Sequence, residues 1–123
     1  MRDLLAEAAD GDVRCQQAID VFCHRARGYL GQYLATLGGL DGVAFTAGIG
    51  TYAAPIRAQI LDGLADLGIE LDLEANEAAN GREARITTDA SSIPVWVVPT
   101  NEELVIAIDT MKLADTAART PFV

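Results

Sequence analysis

Apolar residues fall at three- and four-residue spacing along three stretches of the chain and run together along two shorter ones, a pattern that alternates helices with strands. From Asp12 to Leu37, the positions Cys15, Ile19, Phe22, Ala26, Tyr29, Leu30, Tyr33, Leu34 and Leu37 predict one long helix. Its wide apolar stripe needs a core to cover it, and Gly38-Gly39 ends it. Residues 3–10 are good helix formers stopped by Gly11 and predict a short first helix. A further helix is expected over 53–67, with Pro55 in its first turn, Ile56, Ile60, Leu64 and Leu67 on one face, and Gly68 suited to a left-handed cap. The last helix opens at Thr100-Asn101-Glu102-Glu103. There Thr100 and Glu103 have capping-box spacing, Glu102 stays free, and Leu104, Val105, Ile108 and Met111 form the expected buried stripe.

The continuous apolar runs are Val43 to Thr46 and Val95 to Val98, both rich in β-branched or aromatic residues and both read as strands, the second stopped by Pro99. Arg85 to Thr88 suits a shorter strand, Ile69 to Leu71 an extended segment, and Leu73 to Asn80 a short surface helix or loop closing at Asn80-Gly81. Strands alternating with helices argue for an α/β layered domain, with three or four strands. The chain opens in a helix with no preceding strand to pack on, as though the start of a domain were missing.

The first strand runs into Ala47-Gly48-Ile49-Gly50, and the rest of the chain can be placed around this stretch. Two glycines one residue apart predict a tight turn, since glycine takes backbone angles that other residues resist. Strand, glycine turn and helix together gather free N–H groups and the positive end of a helix dipole, which favours an anion or a nucleotide. A lone G-x-G after a strand is more often a plain turn, so the motif alone does not decide the function.

Composition narrows the choice. A formal charge of -9 with only nine scattered Lys and Arg residues argues against a nucleic-acid footprint. No apolar run reaches the length of a membrane span, and Met1-Arg2-Asp3-Leu4 lacks a secretion-signal pattern, so a cytoplasmic location is expected. Cys15 and Cys23 would lie about 12 Å apart on one helix, too far for a disulfide, and both are expected as buried thiols. With one histidine, His24, off the apolar stripe beside Arg25 and Arg27, a zinc site is not expected.

Several longer motifs carry a resemblance. Met1-Arg2-Asp3-Leu4, Tyr29-Leu30-Gly31, Leu37-Gly38-Gly39-Leu40-Asp41, Phe45-Thr46-Ala47-Gly48-Ile49-Gly50, Leu67-Gly68-Ile69 and Pro99-Thr100-Asn101-Glu102-Glu103-Leu104 occur here in the order of the acetokinase family. Together they resemble the C-terminal part of its members and cover essentially the whole chain. The resemblance implies an actin/Hsp70/sugar-kinase-like (ribonuclease H-like) nucleotide-binding domain with an incomplete sheet flanked by helices. It also implies phosphoryl transfer between ATP and acetate with Mg2+, or use of propionate or another short acyl substrate. By position, Arg2 matches an arginine of the nucleotide site, Gly48, Ile49 and Gly50 match the glycine loop, and Glu102 matches the acidic residue associated with magnesium.

Departures from the family pattern bear on function. Ala47 replaces the first glycine, and Thr51-Tyr52 replaces Glu-Asn, so any contact made by the asparagine amide must come from the tyrosine ring or hydroxyl. The family's N-terminal domain, with its phosphate- and acetate-binding arginines and histidines, is not in this sequence. The expectation is a C-terminal ATP-binding lobe that needs an N-terminal kinase domain and does not turn over alone. A truncated gene, a split gene or a mis-called start would each leave such a sequence. The alternative is a non-catalytic remnant or interaction module of the same fold. An apolar surface is expected where absent strands and the family's dimer contacts would lie.

Overall fold

The computed structural model describes residues 1–118. Helix α1 (Arg2–Ala9) packs against α2 (Val13–Leu37), which begins where the Asp12 carboxylate accepts the Arg14 and Cys15 N–H groups at 2.8 and 3.1 Å. It ends at the expected Gly-Gly pair, where Gly38 takes φ 73 and forms a left-handed cap. Only part of the expected stripe on α2 is covered. Ile19 and Cys23 are buried, and Ala26, Leu30 and Leu34 pack partly against the core, whereas Phe22, Tyr29, Tyr33 and Leu37 are exposed. The stripe is wider than the single layer beneath it. Both cysteines are free thiols; Cys23 is buried as expected, but Cys15 is only half-buried because it lies in the open first turn of α2.

Three strands form a mixed sheet in the order β1 (Val43–Phe45), β3 (Val95–Val97), β2 (Ala84–Arg85), with β1 parallel and β2 antiparallel to β3. A bridge between Leu71 and Thr87 extends the sheet toward the 69–72 segment. The register pairs Val43 with Val95, and Phe45 and Ala84 with Val97, on the face that meets the core. Ala44, Trp96 and Arg85 fall in register on the other face, where Ala44 and Trp96 are exposed. The architecture is therefore α/β, with a small incomplete sheet flanked by helices.

The helix expected over 53–67 is broken into two. Helix α4 (Ala54–Leu61) stops at Asp62, Gly63 turns with φ 74, and a single 3-10 turn at Ala65–Leu67 leads to Gly68 at φ 90. Arg27 of α2 supplies the physical reason. Its Nε donates to the Ile60 carbonyl at 3.1 Å and its Nη2 to that of Gln59, which satisfies the open end of α4. Leu64 stays buried, but Leu67 is left exposed. The 73–80 segment is helical as α5 (Leu73–Ala78), capped by Asp72 on the Ala75 N–H at 2.9 Å.

The last helix, α6 (Glu102–Ala118), departs from expectation twice. Asn101, not Thr100, is its cap, since Asn101 Oδ1 accepts the Leu104 N–H at 3.0 Å, which moves Glu103 out of the capping-box position. The expected buried stripe of Leu104, Val105, Ile108 and Met111 is exposed, as is every residue from 102 to 114. Helical spacing specifies the stripe but not what covers it. With this surface and that of α2 open, the isolated chain should bind an apolar dye and sediment with a weight that rises with concentration. A dilute monomer that leaves the dye dark would overturn this.

Candidate functional site

The site residues lie at the carboxyl ends of the two parallel strands. After β1, Thr46 is extended at φ -132, Ala47 turns with φ 56, and helix α3 (Ala47–Tyr52) starts at once. The expected tight glycine turn is thus a short helix, and neither Gly48 nor Gly50 has positive φ. Ala47 makes the left-handed step, at a steric cost of about 1–2 kcal/mol for a residue with a β-carbon. Of the two glycines, only Gly50 lies where the chain packs closely. A β-carbon on Gly48 would meet nothing within 4 Å, whereas one on Gly50 would lie 3.0 Å from the Phe45 carbonyl carbon and 3.2 Å from its Cβ.

Two adjoining clefts share Gly48 and Tyr52. One, of about 430 Å3, is lined by Ala47, Gly48, Thr51 and Tyr52 from α3 and by Pro99 to Glu103 from the segment after β3. The other, of about 350 Å3, is lined by Met1, Arg2 and Leu5 of the first helix with Gly48, Ile49, Tyr52 and Ala53. Six sequence-predicted site residues are brought together in this way: Gly48, Thr51, Tyr52 and Glu102 in the first cleft, and Arg2 and Ile49 beside Gly48 and Tyr52 in the second. Gly50 is the exception, buried under Phe45 and lining neither.

The two clefts differ in chemistry. The first is walled by the Glu102 and Glu103 carboxylates, which make no ion pair among the described residues, with the oxygens of Thr51, Thr100 and Asn101 nearby. Of these, Asn101 Oδ1 is taken up by the Leu104 N–H, so the two carboxylates are the groups here that could hold a divalent cation. The second is mostly apolar, with Arg2 at its rim. Arg2 is paired only with its exposed neighbour Asp3 at 3.4 Å, a surface contact worth little. Tyr52 is exposed and separates the clefts, its ring so close to Gly81 that a β-carbon there would lie 3.0 Å from Tyr52 Cε1.

Behind the clefts lies a residue that sequence reasoning missed. Arg57 of α4 is fully buried: its Nη1 donates to the carbonyls of Gly50 at 2.8 Å and Thr51 at 3.2 Å. Its Nε and Nη2 donate to the side-chain and main-chain oxygens of Asn76, at 2.8 and 2.6 Å. Asn76 in turn donates from Nδ2 to the Ala54 carbonyl at 3.0 Å. Burial lowers the Arg57 pKa, and nearby Glu77 opposes that shift. The available signal was a charged residue directly beside Ile56 in the helix that carries the core stripe. Burial raises the Cys23 pKa, with Asp20 adding to the shift and Arg27 opposing it, so this thiol is a packing group.

A cleft at the carboxyl ends of adjacent parallel strands is where open α/β sheets commonly receive ligands, and the class that the fold defines is an α/β domain with a cleft at that place. Comparison with known proteins makes the assignment specific. The acetokinase family profile matches residues 1–108. The chain is 47% identical over 113 residues to an acetate kinase of Shouchella clausii, covering 92% of this chain and 28% of that protein. It is 46% identical over 114 residues to one of Geobacter sulfurreducens, covering 91% and 27%. Among solved structures it is similar to Porphyromonas gingivalis acetate kinase, with a TM-score of 0.82 and 34% identity over 92% of this chain and 28% of that one. A propionate kinase from Francisella tularensis gives a TM-score of 0.76 and 38% identity over 86% and 27%. The chain belongs to the acetokinase family. It spans little more than a quarter of the length of these relatives.

The contrast between the glycines is testable. Gly48→Ala should leave urea stability unchanged or raise it by about 0.5–1 kcal/mol, because alanine is the better helix residue and meets no obstacle. Gly50→Ala should cost about 1–3 kcal/mol by driving α3 off the end of β1. Equal costs for the two variants would overturn the assignment of one glycine to packing and the other to open approach.

Proposed function

We propose that this chain is the C-terminal nucleotide-binding lobe of an acetate kinase-like phosphotransferase that converts ATP and acetate to ADP and acetyl phosphate. The observation that carries the reading is the convergence of Arg2, Gly48, Ile49, Thr51, Tyr52 and Glu102 on two clefts that share a wall. The apolar cleft offers the adenosine side a place against Ile49 and the Tyr52 ring, and bare Gly48 lets the nucleotide reach the backbone of α3. Arg2 at the rim can swing to a phosphate. Glu102, with Glu103 beside it, would hold Mg2+, which offsets the phosphate charge when bound.

Phosphoryl transfer needs the donor and acceptor fixed in line and cations around the moving group. This chain contributes one arginine and a metal-side carboxylate, so turnover requires the N-terminal kinase domain that would supply the acyl pocket and the other cations. The homodimer and the cytoplasmic location belong to the same proposal. Among the described residues no helix is long and apolar enough to cross a membrane. A propionate or other short-acyl kinase is the second reading, favoured by the similarity to the Francisella propionate kinase.

Calorimetric titration with MgATP tests the lobe directly. Saturable binding is expected, lost in Gly48→Val and weakened about tenfold or more in Tyr52→Ala if the ring stacks on the base. A cooperatively melting chain that gives no binding heat would overturn autonomous nucleotide binding and favour a non-catalytic remnant. Adding an N-terminal acetokinase domain should produce acetyl phosphate where neither piece alone does. Turnover by the chain alone would overturn the division of labour.

A further inference from the structure

We propose that Arg57 is a positioning residue of the nucleotide site, acting through α3 without touching the ligand. The inference rests on the reading of the clefts given above. Helix α3 is six residues long and has no side-chain cap at its start. Its end is not closed by a left-handed glycine either, since Ala53 sits there at φ -112. Such a segment has no means of holding its own shape, because a helix this short is unstable without outside contacts. Its last carbonyls are held from outside: Gly50 O by Arg57, and Thr51 O by both Arg57 and the Gly81 N–H at 3.0 Å. A cation at the carbonyl end of a helix also faces the negative end of its dipole.

The same guanidinium grips both polar oxygens of Asn76 on α5. Gly48 and Tyr52, which shape both clefts, are thus tied to α5 through one planar group. Spanning both sets of acceptors requires the guanidinium fork. A lysine ammonium at this position keeps the charge but cannot reach the α3 carbonyls and Asn76 together. Tyr52 is seated on Gly81, in the segment that follows α5, so a shift of α3 relative to α5 would move the ring that divides the clefts.

The test compares the full chain with Arg57→Lys and with Arg57→Ala, the latter with and without millimolar methylguanidinium. Two readouts are taken at a temperature well below each melt. The first is amide exchange at Ala53, bonded to Ile49 O, and Gly81, bonded to Thr51 O, against Ile86 and Val98 in the sheet as internal controls. The second is MgATP affinity. Arg57→Lys should melt cooperatively, exchange faster at Ala53 and Gly81 alone, and bind MgATP at least about tenfold more weakly. Methylguanidinium should restore both properties to Arg57→Ala.

Uniformly faster exchange, unchanged exchange, or unchanged affinity in a folded variant would overturn the proposal, as would failure of both variants to fold. The first and last of these outcomes would make Arg57 a general stability residue. If the parent chain binds no MgATP, the reading of the clefts fails instead. The exchange pattern then decides by itself whether Arg57 fixes α3.

Discussion

Arg57 enters the interior and finds only neutral oxygens as hydrogen-bond partners among the described residues: two carbonyls of α3 and both oxygens of Asn76. A buried cation loses several kcal/mol of hydration, and here no carboxylate pairs with it directly, Glu77 opposing the effect of burial only from nearby. What offsets the loss is the number and direction of the acceptors, which include the carbonyl end of α3. The arrangement is intolerant of partial disruption. Removing the guanidinium would leave the Gly50 carbonyl without its partner, and removing Asn76 would leave a cation half satisfied.

The chain entering α3 also depends on that anchor. Ala47 holds a left-handed conformation, a strain that persists only where surrounding contacts over-determine the backbone. Those contacts come from both ends of the segment. Gly50 rests so close to Phe45 that an added β-carbon would press on it, and Arg57 holds the Gly50 and Thr51 carbonyls. Gly48 lies between these fixed points and faces open space, so the strained entry presents one bare stretch of backbone to the cleft.

Much of this was legible in the sequence where the determinant is local. Gly68 adopts the left-handed cap read from its position, α2 ends at Gly38 as expected, and the Val43 and Val95 runs are both strands, although their parallel pairing was not read. The residues of Ala47 to Tyr52 and Glu102 could be picked out by motif, although the motif suggested a turn where the chain makes a helix. What escaped notice depends on distant partners. Arg27 ends α4 from another helix, and Arg57 was not singled out because its acceptors lie on α3 and α5. The capping-box spacing of Thr100 and Glu103 was real, but Asn101 one residue later is an equally good cap, and spacing cannot rank the two.

Two features have no explanation within the chain. The polar cleft is lined by Glu102 and Glu103 in a molecule of net charge -9, so a metal-free polyanion is repelled from it. Helix α6 meanwhile exposes Leu104, Val105, Ile108 and Met111, and Trp96 lies open on the sheet. Neither feature is stabilising for a free-standing domain. On the proposed reading both have one cause: an N-terminal kinase domain would cover this apolar surface and bring cations to the cleft. The carboxylates would then face a metal and basic groups instead of bare phosphate.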